Sequence, residues 1–182
     1  MLSNVSIQKF LDTKDIIITP WDSEMMGAAR ISLHLGAKIL VPEKDTVIDI
    51  KNNKMPHYEE QIISEDNPFE LKPNMFVLGE TYEEIGLSEK VGMLLEGRST
   101  LARLGITVVQ TAMLIDTGQI FKKMTLEIKN NSQNTVFLYP KMKFCRACFF
   151  FIDPPATIRY DTTGKYRTND SNKPIFEKEF RD

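Results

Sequence analysis

The sequence predicts a mainly β protein, a sandwich or barrel of antiparallel strands, on the basis of three observations. Short runs rich in Val, Ile, Leu, Phe and Thr recur along most of the chain. Several of them alternate apolar and polar residues, which is typical of strands with one buried face. Pro, Gly, Asn and Asp separate the runs at spacings too short for helices that connect parallel strands.

Length and charge limit the classes of function. With 182 residues, of which 42% are hydrophobic, the chain is long enough for one sizeable core. The 23 Lys and Arg residues nearly balance the 25 Asp and Glu residues, so we expect neither a nucleic acid nor a membrane as partner. The N-terminus lacks a signal-peptide pattern and no apolar run reaches about 18 residues, which favours a cytoplasmic protein.

The expected elements begin with a short amphipathic helix. Ile7, Phe10 and Leu11 share one face behind a Ser6 cap, and the helix should end near Thr13 and Lys14. Strands are then predicted in nine segments: DIIIT (15–19), RISLHLG (30–36), TVIDI (46–50), MFVLGE (75–80), GMLLEG (92–97), ITVVQTAM (106–113), MTLEIKN (124–130), TVFLY (135–139) and FCRACFFFI (144–152).

Two further segments differ from the strands. Residues 96–105, EGRSTLARLG, predict a helical turn that Ser99 caps and Gly105 ends. Residues 161–182 are polar and charged without a regular period, so we expect a single domain over 1–160 and a C-terminal tail or lid over 161–182.

The helical turn concentrates donors suited to phosphate oxygens. The Arg98 guanidinium, the Ser99 and Thr100 hydroxyls and exposed backbone N–H groups can all make charge-assisted hydrogen bonds. Arg103 lies about one turn after Ser99 and shares its face. A purely structural role is the alternative: Ser99 would then only cap the turn, and Arg103 would interact with its last carbonyls.

Several motifs together carry a resemblance to a known family. EGRSTLARLG at 96–105, TAMLIDTG at 111–118, TLEIKN at 125–130 and GKY at 164–166 resemble the dCTP deaminase branch of the dUTPase-like superfamily. The resemblance implies a dUTPase-like β-barrel or distorted jelly roll that assembles as a homotrimer, with active sites between subunits and a closing C-terminal segment. It also implies dCTP as substrate, with dUTP or dTTP as further ligands.

The resemblance assigns roles to individual residues. Arg98, Ser99 and Thr100 are similar to the triphosphate cradle, and Ser99 and Arg103 to groups beside the reacting carbon. The remaining assignments are the Ala112 carbonyl as the group that orients the attacking water, Glu127 as general acid and base, Asp116 as the acid of the diphosphatase reaction, and Tyr160, Lys165 and Tyr166 as part of the closing tail.

Glu127 suits its implied role for a physical reason. In TLEIKN it alternates with Leu126 and Ile128, so its side chain should point to the opposite face of the strand. In a pocket with little water, burial would raise the pKa of its carboxyl toward neutrality and improve it as a proton shuttle. The alternative is a solvent-facing residue paired with Lys123 or Lys129.

Metal chemistry gives two expectations. Mg²⁺ should bind through the substrate's triphosphate, with no metal ligand from the protein. A zinc deaminase is the alternative, because HYE at 57–59 and CRAC at 145–148 partly match its motif. Phe144 stands where that motif has proline, and the two cysteines should face opposite sides of a strand, so we expect no protein-bound zinc and two packing cysteines.

Departures from the family pattern leave three activities open. QIFKKM at 119–124 lacks a second glycine and is one residue longer than usual, which predicts a bulge between Asp116 and Glu127. Arg30, Ser32 and His34 replace a serine, an aspartate and an arginine. The main hypothesis is a deaminase that forms dUTP and ammonia; the alternatives are a bifunctional enzyme that releases dUMP and pyrophosphate, or a non-catalytic nucleotide-binding protein.

Overall fold

Two antiparallel sheets dominate the computed structural model, which describes residues 1–119, 121–167 and 172–176. The strands are β1 (Ile16–Thr19), β2 (Met26–Gly27), β3 (Arg30–His34), β4 (Lys38–Pro42), β5 (Tyr58–Ile62), β6 (Phe69–Leu71), β7 (Phe76–Leu87), β8 (Val91–Gly97), β9 (Ile106–Thr107), β10 (Leu114–Ile115), β11 (Lys122–Asn130), β12 (Val136–Leu138) and β13 (Lys143–Phe151). Three α-helices accompany them: α1 (Asn4–Asp12), α2 (Ser99–Arg103) and α3 (Tyr160–Thr163). The prediction of a mainly β fold is confirmed.

The six-stranded sheet has the order β5-β4-β7-β11-β9, with β1 also paired to β7. The five-stranded sheet has the order β10-β8-β13-β3-β2, and β12 and β6 form a separate pair. One apolar core lies between the two large sheets, with Leu126 and Ile128 from one and Ile31, Leu33 and Phe149 from the other. The described strands therefore form a sandwich of open sheets.

The ends of the predicted helices need two corrections. Helix α1 ends before Thr13 as expected, but its N-cap is Ser3, whose side chain makes no capping hydrogen bond, and not Ser6. Ser99 is the first residue of α2 and Arg98 holds the N-cap position. Gly105 follows α2 with a φ of 80°, in the left-handed region where glycine is favoured.

The strand predictions are wrong for one apolar segment and miss one polar strand. TVIDI at 46–50 forms no strand, because Asp49 instead pairs across a tight turn with Lys54. The polar strand β5 was not predicted, since its residues on the sheet edge are mostly exposed and need no apolar alternation. ITVVQTAM forms a strand only at Ile106–Thr107.

A bulge does lie beside the predicted site, although the neighbouring strand carries it. Lys123 pairs with Glu84 and Thr125 pairs with Glu80, so Met124 alone stands opposite residues 81–83 of β7. The Thr81 hydroxyl accepts a hydrogen bond from the Met124 N–H at 2.9 Å and donates one to the Glu83 carbonyl at 2.7 Å. The Thr81 side chain thereby stabilises the interruption in the ladder.

Candidate functional site

A cavity of about 740 Å³ lies on the outer face of the six-stranded sheet. Strand β11 shows why: Met124, Leu126 and Ile128 are buried in the core, and the residues between them point the other way. Thr125 and Glu127 therefore face the cavity, as the sequence predicted for Glu127.

The chain between the two sheets forms the next wall. Strand β9 pairs with the end of β11, and β10 pairs with β8 of the other sheet. The connecting residues must therefore cross between the sheets, and they carry Ala112 past Glu127. Ala112 is exposed, and no hydrogen bond to its carbonyl is formed within the described residues.

Glu127 is partly buried and held by one backbone contact. Its Oε2 accepts a hydrogen bond from the Gln110 N–H at 3.3 Å. Burial raises the pKa of the Glu127 carboxyl, and the Gln110 contact opposes this only in part. The direction agrees with the expectation for a proton shuttle, and no lysine partner from the described residues is found for this carboxylate.

Asp116 lines the same cavity and is exposed. A tight loop after β10 positions it: the Thr117 hydroxyl donates to the Ser88 carbonyl at 2.8 Å, and the Gly118 N–H donates to the same carbonyl at 3.1 Å. Gly118 has a φ of 67°, and a Cβ atom there would lie 2.8 Å from the Cβ of Arg159. The loop consequently requires glycine after the acid.

Charged residues that the sequence did not single out also line the cavity. Glu80, of which 6% is exposed, contacts the Lys123 Nζ at 2.7 Å and the Lys38 Nζ at 3.1 Å. Burial by itself would raise the pKa of Glu80, but the two lysines outweigh it and hold that pKa below its ordinary value. Tyr58 adds an aromatic wall, and its pKa is raised mainly by burial. Only the sheet register brings these residues together, which explains why no sequence motif revealed them.

The C-terminal residues close one side. Tyr160 and Tyr166 line the cavity, and the Tyr160 hydroxyl accepts a hydrogen bond from the Tyr166 N–H at 3.1 Å. Asn172 also lines it and contacts Glu80 Oε2 at 2.9 Å and Thr125 Oγ1 at 3.0 Å. Lys165 is not among the lining residues; its Nζ lies over the Tyr166 ring, 5.0 Å from the centroid. The parts of the predicted tail at 168–171 and 177–182, and position 120 of the altered loop, lie outside the described residues.

The predicted phosphate cradle lies elsewhere on the chain. None of Arg98, Ser99, Thr100 and Arg103 lines the cavity, and Ser99, Thr100 and Arg103 are exposed. The Arg98 Nη1 donates to the Ser32 hydroxyl at 3.4 Å, so a position that departs from the family pattern contacts the cradle. Burial and the nearby Arg146 and Arg30 lower the pKa of Arg98.

The parts of the zinc motif do not converge. Cys145 is fully buried in the core, Cys148 is on the opposite face of β13, and His57 is an exposed loop residue. Burial raises the pKa of both thiols, which disfavours thiolates that could bind a metal. Among the residues that the structure describes, no group of three or more His, Cys, Asp or Glu side chains is placed to hold a metal ion. No helix in the described ranges combines the length and apolar character needed to cross a bilayer.

The fold and the site motifs belong to one family of enzymes. Residues 1–152 match the family model described as dCTP deaminase-like, so the chain belongs to the dCTP deaminase family. It is 34% identical over 165 residues to a protein of Dictyoglomus turgidum named dCTP deaminase, dUMP-forming, covering 88% of this chain and 84% of the relative. A protein of Nanoarchaeum equitans with the same name is 33% identical over 182 residues, covering 91% of each chain.

A solved structure supports the same fold. The chain is similar to the 2'-deoxycytidine 5'-triphosphate deaminase from Agrobacterium tumefaciens with a TM-score of 0.60 and 18% identity. The match covers 81% of this chain and 47% of the solved chain. At that identity the likeness concerns the fold alone.

Proposed function

We propose that this protein is a bifunctional dCTP deaminase, which converts dCTP into dUMP, pyrophosphate and ammonia. The observation that carries the proposal is the meeting of Glu127, Ala112 and Asp116 at one cavity, with the pKa of Glu127 raised by burial. The names of the relatives support dUMP formation, the second of the three expected activities, over a deaminase that stops at dUTP.

Deamination needs a water molecule to attack C4 of cytosine and protons to be moved to the base. The Glu127 carboxylate takes a proton from the attacking water and passes it to the ring nitrogen N3. A second proton from the same water, carried by the same carboxyl, goes to the amino group, so the C4–N4 bond breaks and ammonia leaves. The raised pKa of Glu127 favours this exchange, because both of its protonation states are used. The Ala112 carbonyl, which accepts no hydrogen bond from the described residues, can accept one from the attacking water and orient it.

Release of pyrophosphate needs a second water, which attacks the α-phosphorus of dUTP. Asp116 is suited to take the proton of this water, because it faces the cavity but stays exposed. The bond from the α-phosphorus to the bridging oxygen breaks, and the pyrophosphate keeps that oxygen. Together the two steps consume two waters for each dCTP.

Mg²⁺ fits this site as an ion bound mainly by the phosphates of the substrate. The carboxylates of Glu80, Glu84, Asp116 and Glu127 line the cavity, but among the described residues no group of three or more His, Cys, Asp or Glu side chains is placed to hold a metal ion. The substrate's own oxygens would therefore supply most of the ligands. When bound, Mg²⁺ neutralises charge on the phosphates.

A complete site requires more than one copy of the chain. The cavity holds the proposed proton-transfer residues, but Arg98, Ser99 and Arg103 do not line it. A neighbouring copy that places its α2 against the cavity would supply these donors, and a cyclic assembly repeats this contact around an axis. The resemblance to the dUTPase-like superfamily implies three copies, and we therefore propose a homotrimer with interfacial sites.

Product analysis tests the proposed function. The purified protein is incubated with Mg²⁺ and either dCTP or dUTP, and dUTP, dUMP, pyrophosphate and ammonia are quantified. We expect dCTP to yield equal amounts of ammonia and pyrophosphate. Ammonia with accumulating dUTP and no pyrophosphate would support the simple deaminase. Absence of products from both nucleotides, with thermal stabilisation by dCTP, would support the non-catalytic nucleotide-binding protein.

A further inference from the structure

Three arginines lie together on the outer face of the five-stranded sheet. Arg146 of β13 is paired in register with Ser32 of β3 and with Glu96 of β8, and Arg30 is two residues from Ser32 on the same face. Arg98 follows β8 and contacts Ser32. We refer to Arg30, Arg98 and Arg146 as the arginine cluster.

The charges of the arginine cluster are poorly compensated within the chain. The Nε atoms of Arg30 and Arg146 are buried and have no hydrogen-bond partner among the residues that the structure describes. Arg146 reaches one carboxylate, Glu96, at 4.0 Å, and the Glu96 side chain is 60% exposed. Arg30 forms no ion pair with any of the described residues. A buried guanidinium N–H without an acceptor is costly, so an anion bound by these guanidinium groups would stabilise the arginine cluster.

The acceptor must carry several oxygens and more than one negative charge. Burial and repulsion from Arg146 and Arg30 lower the pKa of Arg98, which shows that the three cations affect one another. A single carboxylate can pair with one guanidinium in a two-pronged contact, whereas a phosphate chain offers oxygens to all three. Arg98 already belongs to the predicted cradle, and Arg146 and Arg30 lie close enough to it to lower its pKa.

We propose that Arg30 and Arg146 extend the phosphate cradle of Arg98, bind the terminal phosphates of the nucleotide and select triphosphates over shorter chains. This inference rests on the proposed function, because it assigns further residues to the same substrate. Both residues differ from Arg98 in position: they lie on strands, and only the pairing of β13 with β3 and β8 brings them to it.

Binding measurements on the full-length protein test the proposal. Calorimetric affinities are compared for dCMP and for the α,β-imido analogues of dCDP and dCTP, in a Glu127→Gln background so that neither bond is cleaved. The test variants are Arg30→Gln and Arg146→Gln. Lys143→Gln is the control, since it removes one positive charge from the same strand as Arg146. Tripolyphosphate is titrated in the otherwise wild-type protein.

We expect Arg30→Gln and Arg146→Gln each to weaken binding of the triphosphate analogue by roughly tenfold or more. The affinity for the diphosphate analogue should fall less, and the affinity for dCMP should hardly change. Lys143→Gln should leave all three affinities unchanged. Arg30→Lys should lie between the wild type and Arg30→Gln, because it keeps the charge but loses the planar fork.

Three outcomes would overturn the proposal. The first is that the affinities of the arginine variants equal those of the wild type, and the second is an equal loss of affinity for all three nucleotides. The third is a smaller oligomer with unchanged affinity per site, which would show that the arginines pair with acidic residues of a second copy. Product analysis separates this failure from failure of the proposed function. If the protein shows no turnover but binds tripolyphosphate in a manner that depends on Arg30, the proposed function fails and the anion site is supported. If turnover is normal but the nucleotide affinities do not change in the arginine variants, the anion site fails and the proposed function is unaffected.

Discussion

The cavity and the arginine cluster treat charge in opposite ways. In the cavity, the buried Glu80 lies between two lysines within 3.1 Å, and Glu127 accepts a hydrogen bond from the Gln110 N–H. In the arginine cluster, the described residues provide one ion pair, between Arg146 and the largely exposed Glu96 at 4.0 Å. The cavity is therefore almost complete within one chain, and the arginine cluster is not.

This difference in charge compensation bears on the roles proposed for the two surfaces. A compensated environment holds its side chains in place before the ligand arrives, which favours proton transfer at fixed distances. An uncompensated cluster gains most of its stabilisation from the ligand, which favours binding of an anion. In the proposed function, the first surface would carry the proton transfers and the second would bind phosphate oxygens.

Glu127→Gln should have the largest effect, because it removes the titratable group of the cavity and keeps its shape. We expect ammonia release to fall by roughly 10²- to 10⁴-fold while thermal stabilisation by dCTP persists. In the wild type, the rate should fall as the pH drops through the raised pKa of Glu127, since only the carboxylate accepts a proton from water. Ammonia is measured with an enzyme-coupled assay. Glu59→Gln, on the exposed face of β5, is the control, and near-normal turnover of the Glu127 variant would remove the assigned role.

Asp116→Asn should separate the two reactions in the same cavity. We expect pyrophosphate release to fall by about 10²-fold or more, with ammonia release retained and dUTP accumulating. The two products are followed by chromatography in one incubation. A parallel loss of both products would show instead that Asp116 supports binding of the nucleotide.

Glu80→Gln should destabilise the unliganded protein by roughly 1–3 kcal/mol at neutral pH, because it leaves two lysines facing a neutral amide. The pKa of Glu80 is lower in the folded protein than its ordinary value of 4.5, so its stabilisation is present above that pH. The difference between the wild type and the variant should shrink as the pH falls from 4.5 through the lowered pKa. Urea unfolding across this pH range measures it. A difference independent of pH would mean that the ion pairs contribute little.

Arg30→Gln should change the unliganded protein least, and in the opposite direction to Glu80→Gln. Removing one of three mutually repelling cations should leave the free energy of unfolding unchanged or raise it by up to about 1 kcal/mol. The same urea titration at neutral pH measures it. A decrease of more than about 1 kcal/mol in the free energy of unfolding would show that Arg30 has a partner within the chain. The two surfaces would then not differ in charge compensation.

The sequence predicted the parts of the site that local patterns encode. Alternation in TLEIKN placed Glu127 on the face opposite Leu126 and Ile128, and the structure confirms this. The glycine that ends the α2 turn was also predicted correctly, because a left-handed position there has few alternatives to glycine. The assigned chemical roles stay predictions until the variants are measured.

Other parts could not be predicted, because they depend on contacts between distant strands. Glu80 is a cavity residue only because β7 lies between β4 and β11. Arg30 and Arg146 were visible in the sequence, but nothing local placed them beside Arg98. The bulge expected between Asp116 and Glu127 was wrong in position: the extra residues are 81–83 of β7, opposite Met124, and the length of 119–124 says nothing about insertions in its partner strand.

The bulge that Thr81 bridges also limits how this protein can be re-engineered. Lys123 pairs with Glu84 and Thr125 with Glu80, so β7 advances four positions while β11 advances two, and the even difference leaves the alternation of faces intact. Deleting two residues from 81–83 would preserve which side chains face outward. Deleting one would turn Glu84 toward the core and expose Ile85, so length changes here are tolerated only in even steps.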